Sequence, residues 1–279
     1  MKKYSEDWFM DYAEHAVRAI DIETRRYELR GWITKNGRHI LIGEDFGGKS
    51  GKSVDKKRES GIIGLEDSSD VFKPVTQEAI DSVKKLDIFD DDEMNKRHQQ
   101  AAKDLLSEVM SHNDVSVGTE FSIRYDENMK PLQNEKYRKG EVGSVKVSEL
   151  GYPFHAFHNH GSDESLSIGD MIALTRSENM ISITAVGNNG SIFSLAKGTN
   201  SDPDGFINYL TRKVSEPFFK FGDVEISSVY MADKEKWDKL YSKFDNKQKR
   251  EFQSALAKFS YECAEGGNIY GYRFKYQKT

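Results

Sequence analysis

The chain has 279 residues, 37% of them apolar, which is enough to bury one sizeable core and a smaller appendage. A formal net charge of -5 leaves no general electropositive footprint for nucleic acid, and the single cysteine, Cys263, excludes both a disulfide framework and a cysteine-rich zinc site. Met1-Lys-Lys-Tyr-Ser-Glu-Asp-Trp8 runs into no apolar stretch and no segment has the apolar length of a membrane span, so a cytoplasmic protein without membrane attachment is expected.

Residues 4–29 space Trp8, Phe9, Tyr12, Val17 and Ile20 in a helical pattern opened by Ser5-Glu-Asp. Gly31 to Gly43 then predicts two short strands about an Asn36-Gly37 turn, the dipeptide that best suits a two-residue hairpin loop. This stretch resembles a Trp-x-Thr-x-Asn-Gly-x-His-Ile hairpin of phage head-associated proteins. Gly43-Glu-Asp-Phe-Gly-Gly-Lys-Ser50 satisfies the spelling of a phosphate-binding loop, but such a loop needs a helix to start at its Lys-Ser. The residues that follow, Gly51 to Gly61, have no amphipathic face, so 44–73 is expected to be a flexible Gly/Ser/Lys linker.

Pro74 to Leu86 carries a Thr76 cap signal ahead of Ile80, Val83 and Leu86 and predicts a helix; Asp90 to Ser111, introduced by acids, predicts a second. Val115 to Tyr125 alternates and predicts a strand in which Val117, Phe121, Ile123 and Tyr125 share a face and Glu120 points to the other. Asp126 to Pro131 is a turn, and the basic, polar stretch 126–141 is expected to be a surface loop.

Residues 151–158, Gly-Tyr-Pro-Phe-His-Ala-Phe-His, predict a strand. Residues i and i+2 of a strand share a face, so His158 and His160 point the same way if extended geometry persists to the strand edge, while His155 faces elsewhere. Ser167 is a natural N-cap for a helix beginning Ile168-Gly-Asp170, and Asp170 falls in its first turn, where the helix dipole favours a carboxylate. A catalytic zinc takes three protein ligands and leaves a position for water, and His158, His160 and Asp170 supply that count. Met180 to Gly187 and Ser191 to Ala196 predict a hairpin about Asn188-Asn-Gly190. Asp202 to Val214 and Lys234 to Cys263 predict C-terminal helices, and Gly266 to Tyr276 a closing strand.

His158-Asn-His160 followed by Ser167-Ile-Gly-Asp170 resembles the JAMM/MPN-type (JAB-like) zinc metalloprotease family, whose signature is His-x-His-Pro, a short loop and Ser-x-x-Asp. Gly161 stands where that family has proline, which is expected to loosen the turn. The resemblance implies an α/β (α+β) fold, a mixed sheet flanked by helices with cytidine deaminase-like layering, over 74–279; the residue patterns add a helical C-terminal extension and, at residues 1–43, a helix and β-hairpin module. It implies Zn2+ held by His158, His160 and Asp170, with Glu120 as general acid/base and the Ser167 hydroxyl donating to the oxyanion. Glu141 is the rival base and Glu135 a more distant one.

The implied reaction is hydrolysis of an amide or isopeptide bond in a protein or peptide substrate, of the kind that carries a ubiquitin-like or extended tail. Two alternatives remain at this point. One is a phage or prophage structural or assembly protein, virion-associated, that uses the same domain to bind or process phage structural proteins. The other is the DNA-associated role proposed for the RadC-type branch, against which the acidic balance argues.

Overall fold

The computed structural model describes residues 32–35, 38–41 and 72–279, apart from 113, 114, 134 and 162–164. The expected N-terminal helix and the stretch 44–71 of the expected linker lie outside the described residues. Two strands of the N-terminal hairpin are present: β1 (Trp32–Lys35) and β2 (Arg38–Leu41) pair antiparallel from Trp32↔Leu41 to Lys35↔Arg38.

The remaining described residues form a mixed α+β structure about one six-stranded sheet. Thr76 caps α1 (Gln77–Ser82) by accepting from the Ala79 amide at 3.2 Å. Asp91 caps α2 (Asp92–Ser111), which buries Ala101, Ala102, Leu105 and Leu106 along one side. The sheet follows with β3 (Thr119–Asp126), β4 (Arg138–Val142) and β5 (Phe154–His160), then α3 (Ile168–Arg176), β6 (Met180–Gly187) and β7 (Ile192–Lys197). After α4 (Pro203–Lys213) come a hairpin of β8 (Phe219–Phe221) and β9 (Val224–Ile226), then α5 (Ser228–Ala232), α6 (Lys234–Tyr241) and α7 (Asn246–Gly266). Finally β10 (Tyr272–Gln277) returns to the sheet.

Strand order is β10-β7-β6-β5-β3-β4, antiparallel throughout except between β5 and β6. A parallel pair cannot be joined by a tight turn, so the chain must cross over between β5 and β6, and α3 is that crossover. This places the start of α3 beside the carboxyl end of β5, the place where ligand sites collect in such units.

Both faces of the sheet are covered. Phe154 and Ala156 of β5, Ala185 of β6 and Phe193 and Leu195 of β7 pack with Met171 and Leu174 of α3, Phe206 and Leu210 of α4 and Cys263 of α7. On the opposite face Phe121, Ile123 and Tyr125 of β3 and Phe157 of β5 pack with α1 and α2. A satellite cluster of Ile226, Leu240, Phe244 and Phe252 joins β9, α6 and α7.

The closing strand begins only at Tyr272, after a 3-10 turn at Gly267–Tyr270, and three other elements differ more from the sequence reading. The stretch 126–141 is not a plain loop: Arg138–Val142 is the edge strand β4, and its exposed Arg138 and Lys139 are the charges that keep an edge from pairing with another chain. The span 234–263 breaks at Ser242 and restarts with a capping box between Asp245 and Gln248. The β8–β9 hairpin was not anticipated, although Gly222-Asp223, with Gly222 at φ +58, is a turn signal of the usual kind.

Candidate metal centre

Strand geometry persists to His160, so His158 and His160 do share a face, the one that carries Phe154 and Ala156 and looks toward α3. Their Nε2 atoms lie 2.9 Å apart. Asp170 Oδ2 is 3.4 Å from His158 Nε2 and 4.0 Å from His160 Nε2. The three ligand atoms therefore converge within 4.8 Å of one another, and among the described residues this is the group able to hold a metal ion.

The donor set fits a divalent ion such as zinc. Tetrahedral ligands at Zn–N distances near 2.05 Å stand about 3.3 Å apart, inside the range of the three separations here. Two imidazole nitrogens facing each other at hydrogen-bonding distance cannot both carry protons. At least one lone pair therefore points at the same space as an anionic oxygen, an arrangement that invites a cation. His158 Nδ1 is buried and meets no hydrogen-bond partner among the described residues.

The electrostatics agree. Burial alone would push the His158 pKa down, but the Asp170 carboxylate and the Glu120 charge outweigh it and raise it. Burial would raise the Asp170 pKa, but His158, His160 and the Ser167 hydroxyl hold it well below the usual carboxylate range.

Ser167 and Asp170 are fixed by local sequence. Ser167 Oγ accepts from the Asp170 amide at 3.1 Å, while Asp170 Oδ2 accepts from the Ser167 amide and hydroxyl, each at 2.8 Å. This capping box holds Asp170 at the third helical position and aims its carboxylate back at the strand end.

Glu120 also reaches this face. Ser122 pairs with His158 across β3 and β5, and Glu120, two residues earlier, projects from β3 on the same side. It is 7% exposed, so this side of β3 is covered rather than open. Ser122 Oγ donates to the Lys146 carbonyl at 3.1 Å and Arg124 to the Ser148 carbonyl at 3.0 Å, so the chain after β4 lies across it. Glu141 sits on β4, one strand further from the histidines, and Glu135 is committed to Arg124, at 2.8 and 2.9 Å.

His155 faces away, as its register predicts: Nδ1 meets Ser182 Oγ at 2.7 Å and Nε2 the Glu127 carbonyl at 3.3 Å. Gly161 is buried rather than loose, its carbonyl accepting from the Lys73 amide at 3.1 Å. The pair Asn159 and Asn188, buried behind the histidines, escaped the sequence reading; the signal available was that strand parity sends Asn159 into the opposite core. No family model, curated protein or solved structure matches this chain. No helix among the described residues is long and apolar enough to cross a membrane.

Proposed function

We propose that this chain is a zinc-dependent metallopeptidase or isopeptidase with JAB-like layering, hydrolysing an amide bond in a protein or peptide. The observation that carries the reading is the convergence of His158, His160 and Asp170 at one point. A zinc ion in that position supplies a Lewis acid and brings the pKa of a water from 15.7 to about 7.

The chain's own residues supply the rest. Glu120, on the face of β3 that looks at the histidines, takes the proton of the attacking water and returns it to the leaving amine nitrogen. Burial of the site keeps bulk water from competing for these charges. The Ser167 hydroxyl donates to Asp170 Oδ2. With Asp170 helping to hold the metal, the Ser167 hydroxyl would be the group placed to donate to the oxygen of the substrate carbonyl.

Metal analysis of purified protein tests this directly. Wild type should carry about one zinc per chain and the His158→Ala, Asp170→Ala double variant none; wild type without affinity for zinc rules the reading out.

The pairing of β1 with β2 about residues 36 and 37 favours a second setting for the same chemistry, processing within virion assembly, because the hairpin resemblance to phage head-associated proteins rests on that stretch. Mass spectrometry of purified virions for this chain distinguishes it.

A further inference from the structure

Between Phe121 and Asn159 the β3–β5 ladder gives way to a side chain. Backbone partners run from Asp126↔Phe154 up to Ser122↔His158. One residue further on, the Phe121 amide donates to Asn159 Oδ1 at 2.6 Å. The Asn159 side-chain nitrogen donates to the Thr119 carbonyl at 3.3 Å and to Asn188 Oδ1 at 2.9 Å. A backbone N–H can only donate, so the bond from Phe121 fixes which end of the amide is the oxygen and leaves Nδ2 to donate.

Asn188 carries the brace onward. Its Nδ2 donates to the Lys73 carbonyl at 2.8 Å, and its backbone N–H to the His160 carbonyl at 2.9 Å. The Lys73 amide in turn donates to the Gly161 carbonyl at 3.1 Å. Two buried amides thus tie together β3, the end of β5, the turn after β6 and the chain at Lys73. The residues flanking Asn159 are the two histidines of the metal centre.

A straight ladder would not do the same job. Opposed residues of adjacent antiparallel strands hold their Cβ atoms about 4.5–5.5 Å apart, and Glu120 would stand that close to His160 if regular pairing ran on. Here the Asn159 amide takes up the Phe121 N–H and the Thr119 carbonyl in place of a backbone partner. Against β4 the register shifts between Thr119 and Phe121, where Gly140 and Glu141 stand opposite the single residue Glu120, so the bulge is on β4.

The geometry points to Asn159, braced by Asn188, as a positioning residue that fixes His160 at the end of β5. This rests on the metal-centre reading above. The test uses the full chain and Zn2+ alone as probe, with affinity read by chelator competition and amide protection by hydrogen exchange. Wild type is compared with Asn159→Leu, with Asn188→Ala, which keeps the backbone bond to His160, and with Leu210→Ala, a core truncation away from the brace.

Both asparagine variants should bind Zn2+ about tenfold or more weakly and exchange faster at the Phe121 amide and at position 188. Leu210→Ala should lose stability and keep its Zn2+ affinity. If Asn159→Leu fails to fold, Asn188→Ala alone decides. Folded variants with wild-type Zn2+ affinity overturn the inference. A wild type that binds no Zn2+ sinks the metal reading instead, and exchange then decides the brace: faster exchange in the variants supports it, unchanged exchange overturns it.

Discussion

Gly161 packs so tightly against Gly118 that a Cβ added to Gly161 would come within 2.5 Å of the Gly118 Cα and 2.6 Å of the Phe72 ring. The position therefore has a steric reason to be glycine, and the proline of the resembling signature would not fit here without moving Gly118 or the Phe72 ring. Gly161→Ala is expected to cost about 1–3 kcal/mol through overpacking. Gly151→Ala, where nothing lies within 4 Å of the new carbon, should stay within about 0.5 kcal/mol of wild type. Urea unfolding of the two variants reads the difference, and equal effects would contradict the close approach.

Glu120 and Glu141 are separated by their strands, and substitution separates them chemically. Glu120→Gln should retain zinc but slow hydrolysis of whatever amide wild type cleaves by about 10²–10⁴-fold, the usual contribution of a positioned base. Glu141→Gln should retain both zinc and rate. The control matters because both glutamates make interactions of their own. A rate lost in Glu141→Gln and kept in Glu120→Gln would reverse the assignment.

The candidate site was legible in sequence because its parts are local. His158 and His160 are related by strand period, and Ser167 and Asp170 by one helical turn with its cap. The step from one pair to the other follows from a parallel β5–β6 pair that forces a crossover helix. What was not legible is long-range. Edge strand β4 reads as a polar loop because its outer side faces solvent, and only pairing with β3 shows it to be a strand. The Asn159–Asn188 bond joins residues 29 apart. Strand parity places Asn159 in the core, but nothing local names the partner it meets there.

Arg124 and Glu135 form a pair whose side chains are 9% and 13% exposed, joined by two parallel N–H to carboxylate bonds. Arg124 also reaches the Ser148 carbonyl at 3.0 Å, so the pair holds the segment that covers the Glu120 side of β3. Glu135→Ala leaves a guanidinium out of water without its counter-charge and is expected to cost about 3 kcal/mol. Replacing both partners with apolar groups, Arg124→Met with Glu135→Leu, should recover most of that loss. Denaturant melts of the two singles and the double give the coupling, and a double variant as unstable as the sum of the singles would show that the ion pair is not what matters.

His98 and His155 make acid stability a property of the core on the far side of the sheet. Burial, together with the charge His155 would carry, lowers the His98 pKa to about 3. Burial lowers that of His155 to about 4, against a partly opposing bond to the Glu127 carbonyl. His98 Nε2 meets Thr184 Oγ1 at 2.9 Å, and its Nδ1 has no partner among the described residues, so neither a proton nor a charge is accommodated there. With folded pKa values below the unfolded value of about 6.5, the folded chain holds fewer protons than the unfolded one. Stability is then fully retained above pH 6.5 and lost as pH falls toward 4 and then 3. Each histidine should remove about 1 kcal/mol per pH unit within that window, so the unfolding free energy should drop by about 2 kcal/mol between pH 6 and pH 5. His98→Leu should roughly halve that slope whatever its own stability, because the charge that the core refuses is no longer available to the unfolded chain. Urea melts at pH 7, 6 and 5 measure it, and a slope unchanged in His98→Leu would place the acid sensitivity elsewhere.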